Sequence, residues 1–202
     1  MSAASLPLHR SLRIRRKVAL RLILAFVLML GLALSLLVRI TEAVVAPPQD
    51  EVPPATELRV PVSGVDRAQI ADSWGQARDA GARPHQGTDI MAPEGTTVIA
   101  AAAGVVEKLF DSATGGHTLY IRSPDRHWSY YYAHLAGYAP GIAVGKTVRA
   151  GDAIALVGDT GNAGAGNYHL HFGISRMGLR DGWWEGQAIN PYPVLVPRTA
   201  RR

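Results

Sequence analysis

The spacing of apolar and polar residues first singles out an apolar run near the N-terminus. Residues 22–38 read LILAFVLMLGLALSLLV, carry no charge and would be apolar on every side of a helix. A helix of this length rises about 25 Å, which is close to the shortest length that spans a bilayer core. Ala19, Leu20, Ile40 and the long side chain of Arg21 extend it at both ends. The pattern therefore predicts a transmembrane helix.

The charges around this run predict its orientation. Residues 1–40 contain seven basic residues and no acidic ones, whereas residues 41–202 contain 14 basic and 16 acidic residues, a net charge of −2. Positive charge before a membrane helix favours a cytoplasmic N-terminus, which predicts a single-pass inner-membrane protein with an extracytoplasmic, periplasmic C-terminal part. A cleaved signal peptide is the alternative. Its one candidate cleavage site, after Ala46, is followed by Pro47, which favours an uncleaved anchor.

Changes in composition divide the chain further. Four prolines among polar residues between positions 47 and 54 indicate an extended spacer. We expect a basic cytoplasmic head at 1–21, a transmembrane helix at 22–38, a proline-rich linker at 39–59, a folded domain at 60–196 and a basic tail at 197–202. The folded domain has no basic run interleaved with aromatic residues, so nucleic acid is not an expected partner.

The residue pattern of the folded domain predicts β structure. Its apolar runs are short, rich in valine, isoleucine, threonine and tyrosine, and separated by glycine and proline turns. No stretch after residue 60 keeps a helical period over three turns. We expect an all-β fold, mainly an antiparallel sheet or sandwich with a groove. The candidate strands are Thr96–Ala101, Gly104–Phe110, Thr118–Arg122, Trp128–Leu135, Ala153–Val157 and Tyr168–Ile174.

Histidines in three short patterns are the candidate chemical groups. His85 and Asp89 are four residues apart and can chelate one metal ion if the chain turns at Gly87. His169 and His171 lie two residues apart in a strand, so they share a face, although a solvated polar face would look the same. The third pattern ends the Trp128–Leu135 strand with Tyr-Ala-His-Leu. The chain has no cysteine to compete for metal, and three such ligands with one open position suit catalytic zinc.

The order of these patterns, HxxxD, then YAHL, then HLHFG, resembles the lysostaphin-type (LytM-type) zinc endopeptidases of bacterial cell-wall turnover. The similarity covers about residues 70–195 and includes several further blocks. These are Arg83–Ile90, Ala92–Ala101, Ala103–Val106, Val148–Asp152, Val157–Asn162 and Asn190–Tyr192.

The resemblance implies a function and a role for each matching residue. It implies one Zn²⁺ held by His85, Asp89 and His171, with His134 and His169 as catalytic histidines that do not bind the ion. The implied reaction is hydrolysis of peptide stems or crosslinks of peptidoglycan by a metal-activated water. One departure stands out, because some members of the family place a tyrosine upstream of the first ligand and residues 77–84 contain none.

Two other functions remain open at this point. Some domains of this type have lost metal ligands and act as amidase activators or cell-wall scaffolds, whereas this chain has suitable residue types at all five positions. A membrane-tethered β-sandwich that only binds a partner would leave the histidine pattern unexplained. Trp183 and Trp184 either line a substrate groove or close the core, and Tyr130 and Tyr132 are candidates for the groove because they share a strand face with His134.

Overall fold

The computed structural model describes residues 8–45, 53, 58–78 and 81–196 of the chain, with side chains described in the first helix only at 20–39. Two compact units, Met1–Ala46 and Pro47–Arg202, make up the chain. Most of the expected linker, all of the basic tail and the first seven residues lie outside the described residues.

The N-terminal unit is one helix, α1, at Leu8–Val45. Its window Leu20–Arg39 has a mean hydropathy of 2.5, and none of that window is buried. Among the residues that the structure describes, the large apolar side chains of this window are exposed, and such exposure is typical of a helix that lipid covers. The helix is therefore long and apolar enough to cross a membrane, a property that N-terminal signal sequences share.

The second unit is mostly antiparallel β-sheet, as expected. A 3-10 turn at Arg67–Gln69 precedes the strands and a short helix, α2, at Tyr192–Leu195 follows them. The strands are β1 Ala77–Arg78, β2 Arg83–Pro84, β3 Thr88–Met91, β4 Thr97–Ile99, β5 Gly104–Ser112, β6 Gly116–Arg122, β7 Trp128–Tyr138, β8 Thr147–Val148, β9 Ala153–Val157, β10 His169–Arg176 and β11 Gln187–Ile189. The six strands expected from the sequence correspond to β4, β5, β6, β7, β9 and β10.

Nine of these strands form one sheet. Its main path runs β11-β10-β7-β6-β5-β8, with β3 added beside β10 and β9 joining β4 to β7. Strands β1 and β2 form a separate antiparallel hairpin. Every described pairing is antiparallel.

The core lies on one face of the central strands. In β10, Leu170, Phe172 and Ile174 are at most 1% exposed and belong to the hydrophobic core, because alternate residues of a strand face the same side. Tyr132 of β7 is fully buried, and its hydroxyl oxygen accepts a hydrogen bond from the backbone N–H of Ala101 at 2.9 Å. The opposite face of β10 and β7 is left to line a cleft.

Candidate metal centre

The register of the sheet brings the predicted site residues together. In the β3–β10 pair, Asp89 lies opposite His171, and in the β7–β10 pair Ala133 lies opposite the same histidine. His134 follows Ala133 in the chain, and His85 lies just before β3, after the β1–β2 hairpin. Residues up to 86 positions apart in sequence therefore meet at one place.

Three side-chain atoms converge in this cluster. His85 Nε2 lies 2.8 Å from His171 Nδ1 and 3.0 Å from Asp89 Oδ1, and His171 Nδ1 lies 3.2 Å from the same oxygen. Tetrahedral zinc with ligands at about 2.0–2.2 Å keeps neighbouring ligand atoms roughly 3.3–3.5 Å apart. The three atoms are close to that arrangement, so small outward shifts would admit an ion.

The protonation of His85 also suits a cation. Its Nδ1 lies 2.7 Å from the carbonyl oxygen of Ser73, which can only accept, so Nδ1 carries the hydrogen. Nε2 is then the atom that faces Asp89 Oδ1, and it can coordinate a metal ion whenever the ring is neutral. The donor set of two imidazoles and one carboxylate fits Zn²⁺.

Asp89 is held from three sides. Its Oδ2 accepts a hydrogen bond from the Arg78 guanidinium, and its backbone N–H donates to Ser73 Oγ at 3.0 Å. Burial raises the pKa of Asp89, but hydrogen bonds from His171 and His85, and the attraction of their rings, outweigh burial and hold that pKa well below its ordinary value. The carboxylate is therefore ionised, with Oδ1 directed at the two histidines.

His134 and His169 lie beside this cluster. Their ring centres are 4.8 Å apart, and His169 Nε2 is 3.8 Å from Asp89 Oδ1. Each ring donates its Nδ1–H to a backbone carbonyl, His134 to Thr160 at 2.8 Å and His169 to Asn167 at 2.7 Å. When neutral, both rings have an unprotonated Nε2 that can accept a proton. Burial lowers the pKa of His134 to about 4, and the Thr160 carbonyl opposes this only in part.

A β-bulge turns His134 into the cleft. The register between β6 and β7 shifts between His117 and Leu119, and His134 has a φ of +61°, which is uncommon for a residue other than glycine. The prediction that Tyr130 and Tyr132 line the groove with His134 is wrong, since both are buried in the core at 4% and 0% exposure. The extra residue at the bulge breaks the alternation, so Tyr131 lines the cleft instead.

The cleft extends well beyond the cluster, with a volume of about 470 Å³. Trp183 and Trp184 both line the cleft, so of the two positions considered for them, the groove and the core, the structure shows the groove. Among the described residues, His85, Asp89 and His171 form the one cluster with metal-binding geometry. No sequence pattern pointed to Ser73 or Arg78 as part of the site. Arg78 lies within residues 77–84, where some members of the family have a tyrosine and this chain has none. That difference was the one feature of the sequence that drew attention to this segment.

An antiparallel β domain with a His-Asp-His cluster open to a cleft has the geometry of a metalloenzyme centre, and comparison with known proteins gives the family. The model of peptidase family M23 matches residues 83–191, more than half of the chain. The chain belongs to this family, whose members are zinc-dependent and act on peptidoglycan. The resemblance to lysostaphin-type enzymes is thereby confirmed.

Individual relatives agree with this assignment. The chain is 38% identical over 129 residues to the L-Ala--D-Glu endopeptidase of Bacillus subtilis, covering 61% of this chain and 38% of that protein. It is 34% identical over 116 residues to the peptidoglycan DD-endopeptidase ShyC of Vibrio cholerae, covering 57% and 24%. The chain thus spans well under half the length of these relatives. The catalytic domain of lysostaphin from Staphylococcus simulans superposes with a TM-score of 0.52 at 27% identity, covering 62% of this chain and 90% of that domain.

Proposed function

We propose that the chain is a zinc-dependent endopeptidase that hydrolyses the peptide crosslinks of peptidoglycan. The observation that carries the proposal is the convergence of His85 Nε2, Asp89 Oδ1 and His171 Nδ1 within 3.2 Å of one another at the cleft. Membership of family M23 and the relatives named as endopeptidases support the same reaction class.

The residues divide into those that hold the ion and those that handle protons. When bound, Zn²⁺ would supply a Lewis acid that activates water and polarises the scissile carbonyl. His134 and His169 each keep Nδ1–H on a backbone carbonyl, so each has Nε2 available to accept a proton or to donate one. The lowered pKa of His134 keeps its ring neutral near pH 7, as a proton acceptor requires. We assign the histidines these roles jointly, one as the base and the other as the group that steadies the tetrahedral intermediate.

A catalytically inactive domain that activates an amidase or acts as a scaffold is the alternative, and catalytic variants separate the two. In detergent-solubilised full-length protein, His134→Ala and His169→Ala should each lose about 10²–10⁴-fold in hydrolysis of crosslinked muropeptides while retaining one zinc per chain. Loss of zinc from His169→Ala would reassign that residue as a ligand. An unaltered rate in His134→Ala would remove it from the mechanism.

The same proposal includes a place in the cell. We assign residues 22–38 to a single-pass anchor in the inner membrane, with residues 1–21 in the cytoplasm and the domain at 60–196 in the periplasm. The apolar window of α1 and the charge asymmetry around it support this topology. The mass of the membrane-extracted protein tests it, and a mature form that begins near Pro47 would show a cleaved signal peptide instead.

A further inference from the structure

One end of the cleft contains none of the proposed metal-binding or catalytic residues. It is lined by Tyr120, Ser129, Ser175, Trp183 and Trp184, and we refer to these five residues as the aromatic end. Ser129 and Ser175 lie opposite each other in the β7–β10 pair, so they share the floor of the cleft.

Ser129 has an unmet hydrogen-bonding capacity in this place. It is 3% exposed, and its Oγ has no hydrogen-bond partner among the residues that the structure describes. Buried hydroxyl groups in native proteins are nearly always paired, and an exception calls for a partner that is absent from the chain itself. Ser129 lines the cleft, but its Oγ is closed off from solvent as it stands, so a bound ligand can supply that partner once the side chain rotates to another staggered position.

The two tryptophans form a wall beside this hydroxyl. Trp183 packs against Tyr120 with ring centres 4.9 Å apart and against Phe110 at 5.2 Å. Trp184 packs on Trp183 at 5.4 Å, yet 67% of it is exposed. A large aromatic ring exposed at a cleft, with a polar group close by, is typical of a ligand-binding surface.

Arg122 holds the loop that carries Trp183 and Trp184 in position. Arg122 is 2% exposed, and its Nε donates to Glu107 Oε2 at 2.8 Å. Its guanidinium also donates to the backbone carbonyl oxygens of Asp181 at 3.1 Å and Gly182 at 3.4 Å, directly before the tryptophans. A buried, fully engaged arginine fixes the loop, so the wall is formed before a ligand arrives.

We propose that the aromatic end binds a secondary amide of the substrate, with its flat apolar face on Trp184 and a polar atom at the Ser129 hydroxyl. This inference rests on the proposed function, since it concerns the substrate of the same cleft. The five side chains of the aromatic end are themselves uncharged, which suits a neutral group. Glu185, the next residue after Trp184, also lines the cleft, and Lys108 Nζ lies 5.5 Å from the centre of the Trp183 ring. Crosslinked muropeptides offer secondary amides in two places, the peptide bonds of the stem and the N-acetyl groups of the amino sugars.

Calorimetric binding to metal-depleted full-length protein in detergent tests this inference without hydrolysis. The two probes are a sugar-free crosslinked peptide dimer and the same dimer carrying its N-acetylated disaccharides. Ser129→Ala should weaken binding by about 2–10-fold, the effect of one hydrogen bond, and Trp184→Ala by about tenfold. Neither change removes a hydrogen bond or a buried contact on which the fold depends, since Trp184 is mostly exposed and Ser129 Oγ is unpartnered.

The pattern across the two probes identifies the amide. If the two variants bind the sugar-free dimer more weakly than the unaltered chain does, the site binds a peptide bond. If they bind only the sugar-bearing dimer more weakly, the site binds an N-acetyl group. Leu179→Ala is the control, because Leu179 is 41% exposed and lies close by in the chain but outside the lining of the cleft. If both variants bind each probe as tightly as the unaltered chain does, this inference is overturned and the proposed function is unaffected. Failure of the unaltered chain to bind either probe would overturn the proposed function with it.

Discussion

Gly87 lies between the first two proposed ligands, and the change Gly87→Ala tests how closely the centre is packed. A Cβ at this position would lie 2.6 Å from Cε1 and from Nε2 of His171, and 2.8 Å from the backbone oxygen of Phe172. Ordinary van der Waals contact begins at 3.4 Å, so the imidazole would have to withdraw by roughly 0.8 Å. The backbone of β10 cannot give way, because Phe172 is fixed in the core.

The size of the effect follows from that displacement. Metal sites tolerate deviations of about 0.2 Å in ligand distance, so a shift of this size should take His171 out of the ligand set. We expect zinc affinity to fall by at least about 100-fold, measured by competition with a chelating dye. The metal-free protein should lose about 1–3 kcal/mol of stability from overpacking, seen as a lower Tm.

Gly137→Ala is the matched control for this prediction. Gly137 also lies in the sheet, but a Cβ there meets nothing within 4 Å, and its φ is not positive. This variant should bind zinc as the unaltered chain does and unfold at the same temperature or slightly above it. Unchanged zinc affinity in Gly87→Ala would refute the placement of His171 against Gly87.

Three further predictions concern the same centre. Asp89→Ala leaves two protein ligands and should lose most of its zinc; stoichiometric zinc by elemental analysis would show a wrong ligand set. Arg78→Ala frees Asp89 Oδ2 and should weaken zinc binding about 10–100-fold in chelator competition, whereas unchanged affinity would make Arg78 irrelevant to the carboxylate. Because His134 must be neutral to accept a proton and its pKa is lowered to about 4, hydrolysis should persist below pH 6.5 and fall only on further acidification. An acid limb at or above pH 6.5, in samples that retain zinc, would contradict that role.

Features of the fold that depend on local pattern were predictable from the sequence. The alternation in β10 predicts that His169 and His171 face one side while Leu170 and Phe172 face the other, and the structure agrees. Such a strand is buried on one face, so its register is strongly constrained. The spacing of His85 and Asp89 likewise indicated one chelating pair, since both lie within five consecutive residues.

Features that depend on the register between strands were not predictable. The bulge beside His134 places that histidine on the same face of the sheet as Tyr131 instead of the face of Tyr130 and Tyr132. Only the pairing of β6 with β7 reveals this change. Gly87 was expected to allow a turn, but the structure shows that it provides room for His171, which is 84 residues further along the chain. The contact of Arg78 with Asp89 depends on how the β1–β2 hairpin lies against β3. Short-range sequence patterns carry no information about such contacts.

The central claim is that the chain cuts peptide crosslinks with a zinc ion held by His85, Asp89 and His171. The most direct measurement is mass analysis of purified crosslinked muropeptide dimers after incubation with zinc-loaded full-length protein. We predict conversion of dimers into monomers, loss of the activity with a chelator, its recovery when zinc is restored, and no conversion by Asp89→Ala. Dimers that remain intact with protein carrying one zinc per chain would contradict the claim.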